Sequence, residues 1–457
     1  MVVFMCKVNY ATQEAIKILC EEFKKNNYIP VDLYKKYDVK RGLRNVDGTG
    51  VPAGLTLICN VHGFVISEGI RVPMDGELIY RGIDVVDIVN DISETKRFGF
   101  EETIYLLLFG HLPTEEELDY FKQVLAAFRD LPPNFVEDVI LKAPSKNIMN
   151  KLASSVLALY TYDENADSTA IESELCKSIQ IISRMPNIMV NAYQAKRRTF
   201  DNQSLFIHPV NRSESIAESI LSALRPDRMY TNEEARLLDL CLVLHAEHGG
   251  GNNSTFTCRA LTSSATDCYS AYAGAIGSLK GPRHGGANIK VMEMMDFIKK
   301  DVSDWEDEEQ IAEYLNKIMR KEAGDKSGLI YGMGHAVYTK SDPRAIILRK
   351  HAMELAKNTE YEAEFKLLAL VENLSPGIIA HYKGDDKTVS ANVDMYSGLV
   401  YKMLGIPEDL FTALFAISRI SGWCAHRMEE ILTAKRIMRP AYRAVSERRP
   451  YISLENR

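Results

Sequence analysis

The 457-residue chain is predicted to be a mainly α-helical protein with a small β-hairpin region near its N-terminus. From about residue 84 onward, apolar residues recur every 3 to 4 positions, the rhythm of amphipathic helices. Only residues 54–84 show β-branched alternation, with turn signals at His62-Gly63 and Asp75-Gly76. The order of elements lacks a strand–helix–strand repeat, which excludes a doubly wound nucleotide-binding fold.

Composition and charge narrow the class of protein. A hydrophobic content of 46% with 26% charged residues is typical of a globular protein, and a net charge of −7 argues against nucleic acid as the main partner. No apolar run is long enough to span a membrane, and the N-terminus lacks the features of a secretory signal. Eight scattered cysteines without a CxxC motif indicate reduced core residues. We therefore expect a cytoplasmic location without a membrane partner.

The elements follow one another along the chain with recognisable start signals. Residues 11–43 look helical, with one charged face. After the β region, two helices are broken at GHLP, and Thr114 with Glu117 forms a capping box that opens the second. The same box, Thr231 with Glu234, opens a helix that is apolar nearly all round and therefore predicted to be buried.

The second half of the chain is predicted to continue as helices. We expect them at about 267–280, 287–300, 307–322, 343–357 and 361–373. A charged loop, HYKGDDKTVSANVD, precedes two final helices, MYSGLVYKMLG and one that starts at Pro407, where the fixed φ and two following acids favour a helix N-terminus. The tail after residue 436 is irregular and basic.

Four stretches place an ionisable residue at a break between apolar helices, where rigid elements position it and helix ends polarise it. They are HAEHGGGNN with His248, GPRHGGAN with His284, YGMGHAVYTKSDPR with His335 and Arg344, and ANVDMYSG with Asp394. Taken alone, each has an ordinary alternative: a polar turn, a loop histidine, or a helix N-cap in the case of Asp394. His245 and His248 have the spacing of two metal ligands, but no third ligand follows at a matching distance, so no metal site is expected.

Three arginines add to this pattern. Arg344 lies at a helix start, Arg419 lies inside the apolar run FTALFAISRISGW, and Arg439 precedes a proline. An arginine in so apolar a run needs an anionic partner, which is either a protein carboxylate or the carboxylate of a ligand. Arginines, neutral imidazoles and one carboxylate suit proton transfer on a small polyanionic acid.

Together these motifs resemble the citrate synthase family. His284 follows His248 by 36 residues, Arg344 follows His335 by nine, and Arg439 follows Arg419 by twenty. The upstream ELIYRGIDVVDI and FEETIYLLLFGHLP are also similar to that family, so the resemblance covers about residues 50–445. Its implied fold is an almost all-helical homodimer, with a large domain (1–285 and 406–457) and a small domain (286–405) that closes over the substrates.

The resemblance implies an acyltransferase that condenses acetyl-CoA with oxaloacetate and water, giving citrate and CoA. The close alternative is 2-methylcitrate synthase, which uses propionyl-CoA. The CoA thioester is a substrate, and no metal or redox cofactor is implied. A protein that only binds dicarboxylates or CoA would need the arginines but not the catalytic histidines and aspartate.

Residue roles follow from the matched motifs. His284 and Asp394 are implied to act on acetyl-CoA, and His335 on the oxaloacetate carbonyl. The oxaloacetate ligands implied are His248, Arg344, Arg419 and an Arg439 that reaches in from the partner subunit. Lys340 is the expected contact of the CoA phosphates. Neighbouring positions depart from many relatives, with HAEHG, YGMGH and SANVD where those have HADHE, PGFGH and YPNVD.

Overall fold

The computed structural model describes residues 10–45, 47–68, 70–282, 284–384 and 389–457. It confirms a mainly helical protein with one small antiparallel sheet among these residues. Two compact units are present, Met1–Ala53 and Gly54–Arg457. The predicted boundary of a small domain at 286–405 stays a prediction. No helix among the described residues is long and apolar enough to cross a membrane.

The first unit is less continuously helical than its sequence predicts. Helix α1 spans Tyr10–Asn26 and α2 spans Asp32–Lys36, followed by a single 3₁₀ turn at Arg41–Leu43. Gly42 in that turn has φ of 62°, a left-handed conformation that ends helical continuity.

The second unit opens with the predicted sheet, but its turn lies elsewhere. Strand β1 (Cys59–Ser67) pairs antiparallel with β2 (Ile70–Tyr80), and β2 pairs with β3 (Ile83–Asp84). The expected turns at His62-Gly63 and Asp75-Gly76 were wrong, because both dipeptides lie inside strands. Their glycines serve close approach instead: a Cβ at Gly63 or Gly76 would overlap the chain around Tyr338 and Ser341.

Helices are the main secondary structure of the rest of this unit. Both predicted capping boxes are confirmed, at Thr114 and at Thr231. The helices of the first part are α3 (Val85–Glu94), α4 (Phe100–Phe109), α5 (Glu115–Ala127), α6 (Ile148–Ala158), α7 (Ile171–Phe200), α8 (Ile216–Leu224), α9 (Asn232–His245) and α10 (Asn253–Thr262). A π-helical turn at Val136–Leu141 and a 3₁₀ turn at Leu159–Tyr162 flank α6.

The later helices agree with the sequence prediction apart from their ends. They are α11 (Cys268–Leu279), α12 (Ala287–Asp301), α13 (Glu308–Met319), α14 (Pro343–Ala356), α15 (Glu362–Lys383), α16 (Asp394–Met403) and α17 (Phe411–Thr433). Helix α15 continues ten residues past its predicted end, through Pro376. The start predicted at Pro407 is instead a 3₁₀ turn, Glu408–Leu410, after which α17 begins. Residues 385–388 of the predicted charged loop lie outside the described residues.

Helix α17 is the central helix of this unit. It packs against α4, α7, α9, α10 and α11, and every residue from Phe411 to Arg427 is buried. Such complete burial explains why the segment is apolar all round. The buried cysteines Cys59, Cys241, Cys258, Cys268 and Cys424 behave as the predicted core residues, whereas Cys20 and Cys176 are exposed, and Cys6 lies outside the described residues.

A buried ion pair joins α17 to α7. Arg427 donates from Nε and Nη2 to the two carboxylate oxygens of Glu174, both at 2.8 Å, and also reaches Thr262 and the carbonyl of Thr266. Both charged side chains are fully buried. Removing one partner of such a pair leaves an uncompensated buried charge.

We expect Glu174→Gln to lower the free energy of unfolding by about 3–5 kcal/mol, because Arg427 then lacks its counter-charge in the core. The measurement is the midpoint of urea unfolding, compared with Glu172→Gln at the exposed start of the same helix. A Glu174→Gln midpoint equal to that of the control variant would show that the ion pair contributes little.

Candidate active site

The His335 and Asp394 stretches are joined by a short antiparallel bridge. Met333 pairs with Ala391, the N–H of Gly334 donates to the carbonyl of Ser390 at 2.8 Å, and the N–H of Asn392 donates to that of Gly332 at 2.9 Å. Gly332 has φ of 80° and would meet the backbone of Met395 if it carried a Cβ. The bridge therefore fixes the backbone segments that carry His335 and Asp394 relative to each other.

Asp394 is the first residue of α16 and does not cap it. The N-cap position is occupied by Val393, while the side chain of Asn392 accepts the N–H of Asp394 at 3.0 Å and donates to the carbonyl of Gly334 at 2.8 Å. The N-cap interpretation of Asp394 was therefore wrong, since Asp394 is the first residue inside the helix and Val393 occupies the N-cap position. Asp394 Oδ1 is buried without a hydrogen-bond partner in the protein.

Burial sets the acidity of Asp394. Desolvation raises the pKa of the Asp394 carboxyl to about 6, with Asp342 adding to this and Arg344 and Arg419 opposing it. A carboxyl with a pKa near neutrality is suited to act as a general base. The two arginines that oppose the shift also show that the predicted site residues share one electrostatic environment.

The β1–β2 hairpin and a ring cluster fix His335. Its Nδ1 accepts the N–H groups of Val337 and Tyr338, at 3.1 and 3.0 Å, so the neutral ring carries its proton on Nε2. Tyr338 stacks on the imidazole with ring centroids 4.7 Å apart and donates from its hydroxyl to the carbonyl of Glu77 on β2. His248 meets the His335 ring edge-on at 5.0 Å.

His248 follows the end of α9 and is not part of it. Helix α9 ends at His245, whose Nδ1 lies 2.8 Å from the carbonyl of Cys241. His248 is buried, and its Nε2 has no hydrogen-bond partner in the protein. Desolvation, aided by Arg344, holds the pKa of His248 well below its usual value. Its uncharged ring is therefore available to a ligand at neutral pH.

His284 lies in a tight turn after α11. The N–H of Gly285 donates to the carbonyl of Leu279 at 3.0 Å, and a Cβ at Gly285 would overlap that oxygen. The N–H of Ser254, in the first turn of α10, points at His284 Nε2 over 3.4 Å, which requires Nε2 to be unprotonated and leaves Nδ1–H as the donor. Desolvation lowers the pKa of His284 to about 4, so the ring is neutral at pH 7.

Ser254 connects His284 to the central helix. Its hydroxyl lies 3.1 Å from His284 Nε2 and accepts the indole N–H of Trp423 at 3.2 Å. Trp423 lies on α17 one turn after Arg419, so α17 positions groups on both sides of the site.

Arg419 and Arg344 are both buried, but their surroundings differ. Arg344 donates from Nε and Nη2 to the carboxylate of Asp342, at 3.0 and 2.7 Å. Arg419 donates from Nε to the carbonyl of His245 at 2.7 Å, while its Nη1 and Nη2 have no hydrogen-bond partner in the protein. Its guanidinium lies over the ring of Phe415. Two buried donors without acceptors form a ready-made carboxylate site.

Two predicted residues lie apart from this cluster. Lys340 is exposed and forms an ion pair with Asp75 at 2.8 Å. Arg439 is exposed in the irregular tail, next to Met438, whose N–H donates to Ser263 Oγ. Ser254, which contacts His284, lies near the start of α10, and Ser263, which binds Met438, follows its end. Roughly 14 Å of helix therefore separates these two serines.

The residues that hold the catalytic candidates in place were not predicted from the sequence. They are Ser254, Asn392, Tyr338, Asp342 and Trp423. Four of them lie within eight residues of a motif histidine or of Asp394, which was the available signal. Within the described ranges, no group of three or more His, Cys, Asp or Glu residues is placed to hold a metal ion.

Comparisons with known proteins agree on one family. The family model described as "Citrate synthase, C-terminal domain" matches residues 46–441. Citrate synthase of Haloferax volcanii is 37% identical over 379 residues, covering 82% of this chain and 90% of that protein. 2-Methylcitrate synthase 2 of Corynebacterium glutamicum is 33% identical over 398 residues, covering 86% and 91%.

Solved structures give the same result. Citrate synthase from Thermotoga maritima matches with a TM-score of 0.70 at 29% identity, covering 89% of this chain and 98% of that chain. The ternary complex of carboxymethyl coenzyme A and oxaloacetate with citrate synthase from Thermoplasma acidophilum matches with a TM-score of 0.73 at 26% identity, covering 91% and 99%.

We expect Asp394→Asn to stabilise the protein at pH 8 but not at pH 4. The folded-state pKa of about 6 lies above the ordinary value of an aspartate carboxyl, so folding favours the protonated form. This stabilisation is lost as the pH rises through 6, and at pH 8 the ionised group costs on the order of 3 kcal/mol that asparagine avoids. Melting temperatures at both pH values test this, with the exposed Asp119→Asn as control. An equal shift at pH 4 and pH 8 would contradict it.

Proposed function

The chain belongs to the citrate synthase family, a family of acyltransferases, and from this premise we propose that it condenses acetyl-CoA with oxaloacetate and water to give citrate and CoA. One observation carries the proposal. Asp394, a half-buried residue whose buried Oδ1 has no hydrogen-bond partner in the protein, shares an electrostatic environment with the buried guanidinium of Arg419, whose two terminal nitrogens also lack partners. This arrangement suits a base acting beside a bound carboxylate.

The first proposed step forms an enolate. The Asp394 carboxylate removes a proton from the methyl carbon of acetyl-CoA, while His284 donates from Nδ1–H to the thioester oxygen, where negative charge develops. Ser254 supports this role because its N–H fixes the His284 tautomer. A neutral imidazole is the appropriate donor, since its own proton stays in place as charge grows on the oxygen.

The second step forms the carbon–carbon bond. The enolate carbon attacks the ketone carbon of oxaloacetate, and His335 donates from Nε2–H to the ketone oxygen. The contacts of His335 Nδ1 with two backbone N–H groups support this tautomer. Water then cleaves the thioester, which releases citrate and CoA. Each step is a proton transfer, a bond formation or a hydrolysis, so the proposal requires no cofactor besides the CoA thioester substrate.

Oxaloacetate is proposed to lie against His248, Arg344 and Arg419. Two carboxylates in a closed cleft must be paired, and guanidinium groups suit bidentate pairing. Arg439 is proposed to bind oxaloacetate in the site of the partner subunit of a homodimer. Its separation from His284 of the same chain supports this role. Lys340 is proposed as a CoA phosphate contact, for which it must leave Asp75. A cytoplasmic location remains our expectation.

The alternative acyl substrate is propionyl-CoA, because 2-methylcitrate synthases are also among the relatives. The two substrates differ by one methylene, a discrimination of about 1–3 kcal/mol in an apolar pocket. We propose acetyl-CoA because the relative at 37% identity is a citrate synthase.

Thiol release from acetyl-CoA should require oxaloacetate, and its kcat/KM should fall about tenfold per pH unit below pH 6. The reason is that Asp394 must be ionised and has a pKa of about 6, whereas His284, with a pKa of about 4, stays neutral over that range. Asp394→Asn should lower kcat by about 10²- to 10⁴-fold.

Propionyl-CoA assayed in parallel decides the acyl preference, and a higher kcat/KM for it would move the assignment to 2-methylcitrate synthase. Full thiol release without oxaloacetate would instead establish a thioesterase. Unchanged turnover of Asp394→Asn would remove Asp394 from the role of base.

Arg439 can be tested by subunit complementation. If each site takes Arg439 from the partner, Arg439→Ala and Asp394→Asn are both impaired as homodimers, but a mixed dimer contains one intact site. The mixed dimer should then have about half of wild-type activity. Co-expression with two affinity tags and assay of the purified mixed dimer measures this. If the mixed dimer is no more active than the two parents, Arg439 acts within its own chain.

A further inference from the structure

A buried charged network includes Glu247, the residue whose charge acts most strongly on Arg419. Glu247 and His426 are fully buried, and His426 Nε2 lies 3.1 Å from Glu247 Oε1. On the other side of the imidazole, Arg259 Nη1 lies 2.8 Å from His426 Nδ1 and 2.7 Å from a carboxylate oxygen of Glu429. Arg259 Nη2 pairs with Glu430 at 2.9 Å. This network connects α10 and α17 to the segment that carries His248.

The network fixes the tautomer of His426. A guanidinium donates hydrogen bonds and has no acceptor, so His426 Nδ1 must be the acceptor facing Arg259. The proton of the neutral ring therefore resides on Nε2 and is donated to Glu247 Oε1. Glu429, anchored by the N–H of Leu57 at 2.7 Å, in turn holds Arg259 in place.

Glu247 is the counter-charge of Arg419 but does not bind it. Burial lowers the pKa of the Arg419 guanidinium, and the charge of Glu247 is the main influence that opposes this. Glu247 Oε2 and both terminal nitrogens of Arg419 nevertheless lack hydrogen-bond partners in the protein. A buried carboxylate and a buried guanidinium whose charges interact this strongly would normally form a direct ion pair.

Two contacts keep the pair apart. His426 holds one oxygen of Glu247, and Gly422 lets α17 approach so closely that a Cβ there would overlap Glu247 Oε2. The carboxylate is thus confined between His426 and the backbone of α17. Its charge still compensates Arg419, while the donors of Arg419 stay available to a ligand.

We propose that His426 is a positioning residue that holds the Glu247 carboxylate away from Arg419 and so leaves Arg419 Nη1 and Nη2 open to a substrate carboxylate. The inference rests on the proposed function, in which that substrate is oxaloacetate. Without the His426 donor, Glu247 turns to Arg419 and competes with the substrate for the same nitrogens.

The experiment measures oxaloacetate binding by calorimetry, and KM and kcat by thiol release, on the full-length protein. His426→Met removes the donor at similar volume and should weaken oxaloacetate binding about tenfold or more, the scale of a hydrogen bond to a charged group, with a smaller change in kcat. His426→Gln, which can donate to Glu247 from its amide, should recover binding to within about threefold of wild type. His351→Met, at a half-buried histidine of α14, is the matched control.

The double variant Glu247→Gln/His426→Met separates competition from general damage. Because the glutamine amide carries no charge to compete for Arg419, the double variant should bind oxaloacetate more tightly than His426→Met alone. A role of the network in packing alone predicts the reverse order. If His426→Met does not fold, His426→Gln decides: because its amide still donates to Glu247, oxaloacetate affinity within about threefold of wild type supports the positioning role, and a loss of tenfold or more overturns it.

Measurements on the wild-type protein distinguish failure of the proposed function from failure of this inference alone. A wild-type protein that neither binds oxaloacetate nor releases thiol in its presence overturns the proposed function and the inference with it. A wild-type protein that does both, with His426→Met at wild-type affinity or with the double variant weaker than His426→Met, overturns the inference alone.

Discussion

The site depends on the burial of α17 with charged residues inside it. A guanidinium in a fully buried helix is stable only where a nearby opposite charge compensates its own charge. Arg419 uses one donor on the carbonyl of His245 and leaves two without a protein acceptor. The helix therefore presents donors that suit a ligand carboxylate, in contrast to the closed ion pair of Arg427 with Glu174. The contrast between these two arginines, eight residues apart, separates a structural charge from one available to a ligand.

Rigid backbone contacts supply the remaining geometry. The bridge between 332–334 and 390–392 places His335 and Asp394 on one frame, and the β1–β2 hairpin holds the chain after His335 through Tyr338. In both places glycines allow close approach of backbone segments that any side chain would separate. Acid–base groups held by such rigid backbone contacts need little reorganisation during a reaction. Electrostatic catalysis depends on this preorganisation.

Neutral imidazoles are a common feature of the site. Burial lowers the pKa of His248 and of His284, and backbone N–H groups determine which nitrogen of His284 and of His335 carries the proton. Arginine provides the positive charge and histidine provides oriented donors, so the two tasks fall to different residue types. The same division holds in the network that includes Glu247, where Arg259 orients His426.

The sequence by itself determined the helical class, the capping boxes, the motif residues and their family resemblance, because periodicity, caps and motif spacing are local properties. It placed the hairpin turns at glycines that prove to serve close approach, and it left open a helix-capping alternative for Asp394, a position that Val393 occupies. Only the tertiary structure decided which donors lack partners. Whether Arg419 keeps its terminal nitrogens without a protein acceptor, and whether His426 holds Glu247, depends on contacts between residues up to about 180 positions apart. Local sequence patterns contain no record of such contacts.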